Sequence, residues 1–332
     1  MKRILTFILS IVTILTVFTA CEKENNEREK ITFGSYPQSE VTDSALKTAL
    51  NEKAGNLPLP TENYDWTPFK KCLDDNGNYC MWFIDIEIES GKYRGLYFTS
   101  YRPYHFSQTA PYSEETSNQD DNGYLTKEIY WFKYEPLSWT VLSKNENDKT
   151  AFLLCDSIID AQYYYSSTGT RKNPTRYANN YQHSDIRTWL NETFFDTAFT
   201  DSQKSKIKTT KVNNGLTSTG YNANSYVCET TEDKIFLPSR AEMTNSQYGF
   251  SSNYADYDTA RQKKPTAYAK ALGAWQSSDK KYANNGTWWL RTPSGTSSAA
   301  AHSIGENGYI YGNHGTVPLS NRGVVPAMNI KL

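Results

Sequence analysis

Residues 82–101 carry the pattern that most constrains the fold. Trp82, Ile84, Ile86 and Ile88 alternate with Phe83, Asp85 and Glu87, so one face of an extended segment is apolar. Glu89-Ser90-Gly91-Lys92 supplies a turn and residues 93–101 a returning strand, which together predict a β-hairpin. Further strands are expected at 128–133, 138–143 and 150–156, preceded by a short helix at 44–52. The period then changes. Ser184 can cap a helix with Ile186, Trp189, Leu190 and Phe194 on one face. Thr200 with Gln203 and Ser239 with Glu242 have the spacing of capping boxes, the second just after a strand at 234–237. Pro265 is placed to open a helix running to Leu272. Short strands return at 287–291, 299–303, 308–311 and 323–330, separated by turns such as Gly305-Glu306-Asn307-Gly308. Strands, a helical middle and strands again predict an α+β fold with mostly antiparallel short strands around the helices.

The N-terminus belongs to a different kind of segment. Lys2 and Arg3 precede an unbroken apolar stretch from Ile4 to Phe18, followed by Thr19, Ala20 and Cys21. A basic n-region, an apolar run short of the ~20 residues needed to cross a bilayer, and small residues before a cut mark an export signal. The Cys resembles the lipidated residue of the bacterial lipobox, although Phe18 stands where Leu is usual. An ordinary cleaved secretory peptide is the alternative. Residues 22–30 are polar and charged and are expected to form a flexible tether. The expected organisation is therefore a leader over 1–21 with lipidation at Cys21, a tether over 22–30, and one α+β domain over 31–332. Within that domain the β-hairpin forms an extension at about 66–125 and the core runs from about 126 to 332.

Composition narrows the partners. Tyr occurs 25 times and Trp 8 times, which disordered chains do not show. The 35 basic and 36 acidic residues leave no basic excess, so nucleic acid is not an expected partner. Cys72, Cys80, Cys155 and Cys228 follow Cys21. An exported chain permits disulfides, and the pairing expected is Cys72–Cys80 with Cys155–Cys228; a buried free thiol is the alternative for Cys155, which lies in an apolar run. No cysteine–histidine cluster suggests a metal, and no cofactor motif is present.

The chemistry is sparse. His105, His183, His302 and His314 lack a nucleophile elbow, so no catalytic residue is assigned. Asp85, Glu87, Asp120, Asp121, Asp156, Asp160 and Asp185 could supply the paired carboxylates of a glycosidase, with Asp185 better placed to stabilise a helix N-terminus. Trp288, Trp289 and Arg291 form the most distinctive group: one indole is expected in the core, and the other could stack on a ligand to which Arg291 donates hydrogen bonds, unless all three are structural. Tyr309 and Tyr311 share a strand face and could line a groove, with His302 nearby.

Five segments carry a family resemblance: residues 31–38 (ITFGSYPQ), 130–136 (YWFKYEP), 184–191 (SDIRTWLN), 288–293 (WWLRTP) and 322–327 (RGVVPA). They resemble the DUF6273-like family of bacterial exported proteins, whose domain has no assigned role. A weaker resemblance is to the C-type-lectin-like fold of formylglycine-generating enzymes. The calcium-site triplets and late paired cysteines of those families are missing, so their chemistry does not transfer. The resulting expectation is a lipid-anchored extracytoplasmic module in the cell envelope that binds a glycan, peptide or protein without catalysis. A glycan-directed hydrolase and a purely structural envelope lipoprotein are the alternatives.

Overall fold

A computed structural model describes residues 28–57, 65–69, 77–99, 123–170, 175–319 and 321–332. The leader, Cys21, Cys72, His105, Asp120 and Asp121 lie outside the described residues, as does the His314 side chain. Residues 28–30, expected in the tether, are held by the domain: Glu29 pairs with Lys144 at 2.7 Å, and the Arg28 guanidinium lies 5.0 Å from the Phe250 ring centre.

The larger of two main sheets contains β1 (Lys30–Glu40), β2 (Thr67–Pro68), β3 (Met81–Ile88), β4 (Gly91–Phe98), β5 (Ile129–Asn145) and β6 (Thr150–Cys155). The chain next enters the smaller sheet at β7 (Asp160–Ala161). It returns to the larger sheet at β8 (Ile207–Lys208), makes a two-stranded ribbon from β9 (Thr210–Val212) and β10 (Thr231–Asp233), and adds β11 (Ile235–Phe236). The smaller sheet is completed by β12 (Trp288–Pro293), β13 (Ala300–Ile304), β14 (Ile310–Thr316) and β15 (Gly323–Val324), and β16 (Ala327–Lys331) rejoins the larger one. Among the described strands all pairs are antiparallel except β12 with β15. The α+β expectation holds.

The predicted hairpin forms in register, Ile84 opposite Gly95, and is continuous with the large sheet because β4 also pairs with β5. Its two faces go to two cores. Trp82, Ile84 and Ile86 pack with Trp131 and with Leu50 and Ala54 of the helix Ser44–Ala54, whereas Met81, Leu96 and Phe98 join the main core. Gly95 permits this, since a Cβ there would lie 2.9 Å from the Trp131 ring.

The strands expected at 128–133 and 138–143 are one 17-residue strand, β5, running through Pro136. Proline is tolerated in a sheet where the ladder is irregular, and β1 pairs with β5 through two register shifts, one beside Ser35 opposite Pro136. Strand β1 itself lacks the clean alternation that would announce it. The chain crosses between the two sheets at 156–159 and again at 325–326, and these crossings bond to each other: Ile159 N donates to Val324 O and Cys155 N to Pro326 O, both at 3.0 Å. Ile158, Ile159 and Val325 are consequently at the centre of the core.

The helical middle follows its caps. Ser184 accepts from Arg187 N, and both capping boxes close. The helix from 185 widens to π geometry at Leu190–Phe194. Asn191 sits there with its amide fully used, donating to Arg187 O and Ile235 O and accepting from Lys234 N and Ile235 N. The α-helix Ala267–Ala271 is capped by Thr266 rather than opened by Pro265, which forms a parallel bridge with Ile158.

Candidate functional site

Trp288, Trp289 and Arg291 belong to the interior. Both indoles have no exposed surface; Trp288 donates to Arg261 O at 3.2 Å and Trp289 to Gln162 O at 2.8 Å. The cause is the position of β12 inside the smaller sheet, flanked by β13 and β15, with Tyr164 packed on the Trp289 ring. Arg291 is 3% exposed and bidentate to Glu242, at 2.6 and 2.9 Å, with further bonds to Leu237 O and Asn213 O. Burial opposes charge on Glu242, but Arg291 and the Ser239 backbone outweigh it and hold its pKa below the usual carboxylate range. These three residues offer no surface for stacking in this state, in keeping with the alternative that all three are structural.

Tyr309 and Tyr311 are brought together as expected, their ring centres 4.7 Å apart and both half-buried. They extend into a platform that the sequence did not reveal. Tyr257, 63% exposed, lies 6.5 Å from Tyr309, and Tyr254, 43% exposed, lies 6.2 Å from it. Arg240 sits between Tyr254 and Tyr221, its guanidinium carbon 4.2 and 4.5 Å from their ring centres. Tyr221 in turn meets His302, with Oη 3.1 Å from Nε2. His302 is 1% exposed. Burial, reinforced by the charge of Arg240, pushes its pKa down to about 3, so the imidazole is neutral and supports Tyr221 from beneath.

Local chain geometry builds this surface. The turn 305–308 closes with Gly308 N donating to Gly305 O, and Gly308 has φ +84°. A Cβ on Gly308 would lie 2.0 Å from Asp258 O, so the turn and the loop 251–258 are in direct contact. Ile310 N donates to Tyr254 O at 3.0 Å, fixing the loop along β14. On the other side, Asn313 accepts from Ser294 and Thr296 at 2.5 and 2.8 Å. Gly312 leaves the edge of Tyr221 open: a Cβ there would lie 3.1 Å from Tyr221 Oη. Arg240 N donates to Thr292 Oγ1 at 2.8 Å, and the Ser239–Glu242 capping box sets the same turn.

Two of the clefts elsewhere are lined by acids. One of about 330 Å³ runs over the Arg291–Glu242 pair between Ser143, Asn145, Lys211 and Asn329; the other, about 720 Å³, lies between Phe33, Tyr134, Phe199 and Gln203. Each is lined by a single carboxylate, Glu242 or Asp196, and both acids are ion-paired, the latter with Lys204. Of the other candidate acids, four are committed as well, while Glu87 is exposed on β3 and makes no side-chain bond among the described residues. Asp85 binds Arg94, Asp156 accepts from Ser138 and Thr140, Asp160 accepts from Tyr36, and Asp185 accepts from Ser166 N. Among the described residues no three His, Cys, Asp or Glu side chains gather as a metal site would need.

The Cys155–Cys228 bridge does not form. Cys155 is sealed into β6 opposite Trp139, whereas Cys228 lies in a loop whose backbone bonds to Asn214; both are thiols. Burial raises both pKa values, that of Cys155 to about 12. Cys80 is fully buried, and its expected partner Cys72 lies outside the described residues.

No curated protein and no solved structure matches the chain. A family model described as "Domain of unknown function (DUF6273)" matches residues 147–332, which include the segments at 184–191, 288–293 and 322–327 and every residue of the tyrosine platform. With more than half of its length matched, the chain belongs to the DUF6273 family.

Proposed function

We propose that the protein is a lipid-anchored extracytoplasmic binding module, without catalysis, that presents the tyrosine platform to a glycan. The observation that carries the reading is the continuity of Tyr221, Tyr254, Tyr257, Tyr309 and Tyr311 around Arg240 on one surface. Tyrosine offers rigid apolar area with a polar tip, and surfaces rich in Tyr, Ser, Gly and Asn are adaptable binders that cost little side-chain entropy to order. The hydrolase alternative needs two carboxylates facing one cleft, and among the described residues each of the two clefts is lined by a single, ion-paired acid. The proposed anchor rests on the leader and Cys21 alone.

A glycan array probed with the full chain tests the reading, alongside Tyr257→Ala and Tyr309→Ala. Saturable binding that both substitutions abolish, with unchanged circular dichroism, is expected. Absence of binding to every glycan, or binding indifferent to both substitutions, refutes it and leaves a structural envelope role. Incorporation of labelled palmitate, lost in Cys21→Ala, tests the anchor; equal labelling of the variant refutes it.

A further inference from the structure

We infer that the platform takes an acidic oligosaccharide bearing uronate carboxylates, anchored by the Arg240 guanidinium held between Tyr221 and Tyr254. This deepens the proposed glycan-binding role and rests on it.

Four arginines are buried among the described residues: Arg94, Arg240, Arg261 and Arg291. Three have a carboxylate: Arg94 has Asp85 at 2.7 Å, Arg261 has Asp258 at 3.3 Å, and Arg291 has Glu242 at 2.6 Å. Arg240 is 8% exposed and has none; its guanidinium reaches Thr219 O from Nη1 at 3.4 Å and the Tyr221 hydroxyl, and otherwise rests against the two tyrosine rings. Burying a cation without a counter-charge is costly, and ring faces compensate for it only in part. A fork of N–H donors lying within a surface aromatic cluster is the arrangement that a ligand carboxylate completes.

The acids nearby do not fill the role; Glu306 lies by Tyr311 and makes no ion pair with Arg240. Asp256 accepts from Ser251 and Asn253, and Asp258 accepts from Ser251 N and Ala260 N besides pairing with Arg261. A second cation stands at the rim, where Lys281 Nζ lies 5.9 Å from the Tyr257 ring centre. Two cations separated by a row of tyrosines suit a chain of charged sugars better than one anion.

A sugar also fits better than an acidic peptide. Peptides commonly bind exposed sheet edges by adding a strand. Here β14 is the outer strand of its sheet, but Ile310 N is already taken by Tyr254 O, which covers that end of the edge. What remains open are ring faces and the neutral polar side chains of the exposed Thr296 and Asn313, suited to pyranose faces and hydroxyls.

The test is calorimetric titration of the full chain with three oligouronates (oligogalacturonate, oligoalginate and hyaluronan fragments), the methyl esters of each, and poly-Glu. At least one uronate should bind, at least tenfold more tightly than its ester, and the binding should weaken as salt screens the charges. Arg240→Gln should lose that preference and Arg240→Lys should retain part of it. If Arg240→Gln does not fold, the acid-to-ester ratio and salt dependence of the unsubstituted chain decide alone. Equal binding of acid and ester, abolished by Tyr257→Ala, overturns the inference while leaving the glycan-binding reading intact. Binding of poly-Glu in place of every sugar assigns the site to acidic peptides and overturns it. No binding of any probe overturns it too, and the array result then decides the broader reading independently.

Discussion

Glu242→Gln isolates the buried ion pair that joins β12 to the short helix Arg240–Met243. The substitution keeps side-chain size and removes charge, leaving Arg291, 3% exposed, without its carboxylate. Removing one partner of a buried pair typically costs 3–5 kcal/mol. Glu242 is 24% exposed and the carbonyls of Leu237 and Asn213 continue to accept from Arg291, so the low end, about 3 kcal/mol, is expected. At ~2–4 °C per kcal/mol for a domain of this scale, the melting temperature at pH 7 should fall by at least ~6 °C. The pH dependence carries the sign. The folded-state pKa of Glu242 lies below its unfolded value, so the pair's contribution is complete above the unfolded carboxylate pKa of ~4.3 and is lost as pH falls through the folded one. Thermal melts of the two proteins should therefore stay separated by a constant gap from about pH 5.5 to 8 and converge below about pH 4. A gap under ~2 °C at pH 7, or one that persists undiminished at pH 3, would show that the pair is not what holds this junction.

Three further outcomes are expected. Asn191→Ala removes four hydrogen bonds between the π turn and residues 187, 234 and 235 and should cost about 2–6 kcal/mol in urea unfolding, at ~0.5–1.5 kcal/mol per bond; a loss under ~0.5 kcal/mol contradicts the bridging role. Gly308→Ala places a Cβ against Asp258 O at positive φ, so it should displace the loop 251–258 and weaken ligand binding at least tenfold; unchanged affinity separates that loop from the site. Without reductant, Cys155 and Cys228 should both alkylate once the chain is unfolded, and Cys155 should be silent in the folded protein at pH 8; a Cys155–Cys228 cross-linked peptide in mass spectrometry would contradict the fold.

Much of the fold was legible because its signals are local. Alternation over 82–88 gave the hairpin and the Ser239–Glu242 spacing gave a capping box, since a strand face or a helix turn needs only neighbours in sequence. Strand β1 was not legible: its buried residues Tyr36 and Pro37 follow each other where the ladder slips, so period 2 is broken by register shifts that only the partner strand dictates. The split of 323–330 into β15 and β16 was hidden for a related reason, because Val325 and Pro326 bridge two sheets and the run from Val324 to Met328 is apolar throughout.

The site divides along the same line. Tyr309 and Tyr311 lie two apart on one strand, and the sequence could place them on one face. Trp288, Trp289 and Arg291 looked like a site because large aromatic and cationic side chains serve interfaces and cores alike. Their burial depends on the elements that cover β12, and Glu242, which neutralises Arg291, stands 49 positions away. Arg240 is the converse. In the sequence it is the first residue of a capped helix, indistinguishable from a solvated cation. Its isolation arises only when Tyr221 and Tyr254 close over it and no acid follows. A buried charge that the fold itself leaves unmatched cannot be found by periodicity, because what defines it is a missing partner. Where such a charge opens onto exposed tyrosines, the partner is to be sought outside the chain.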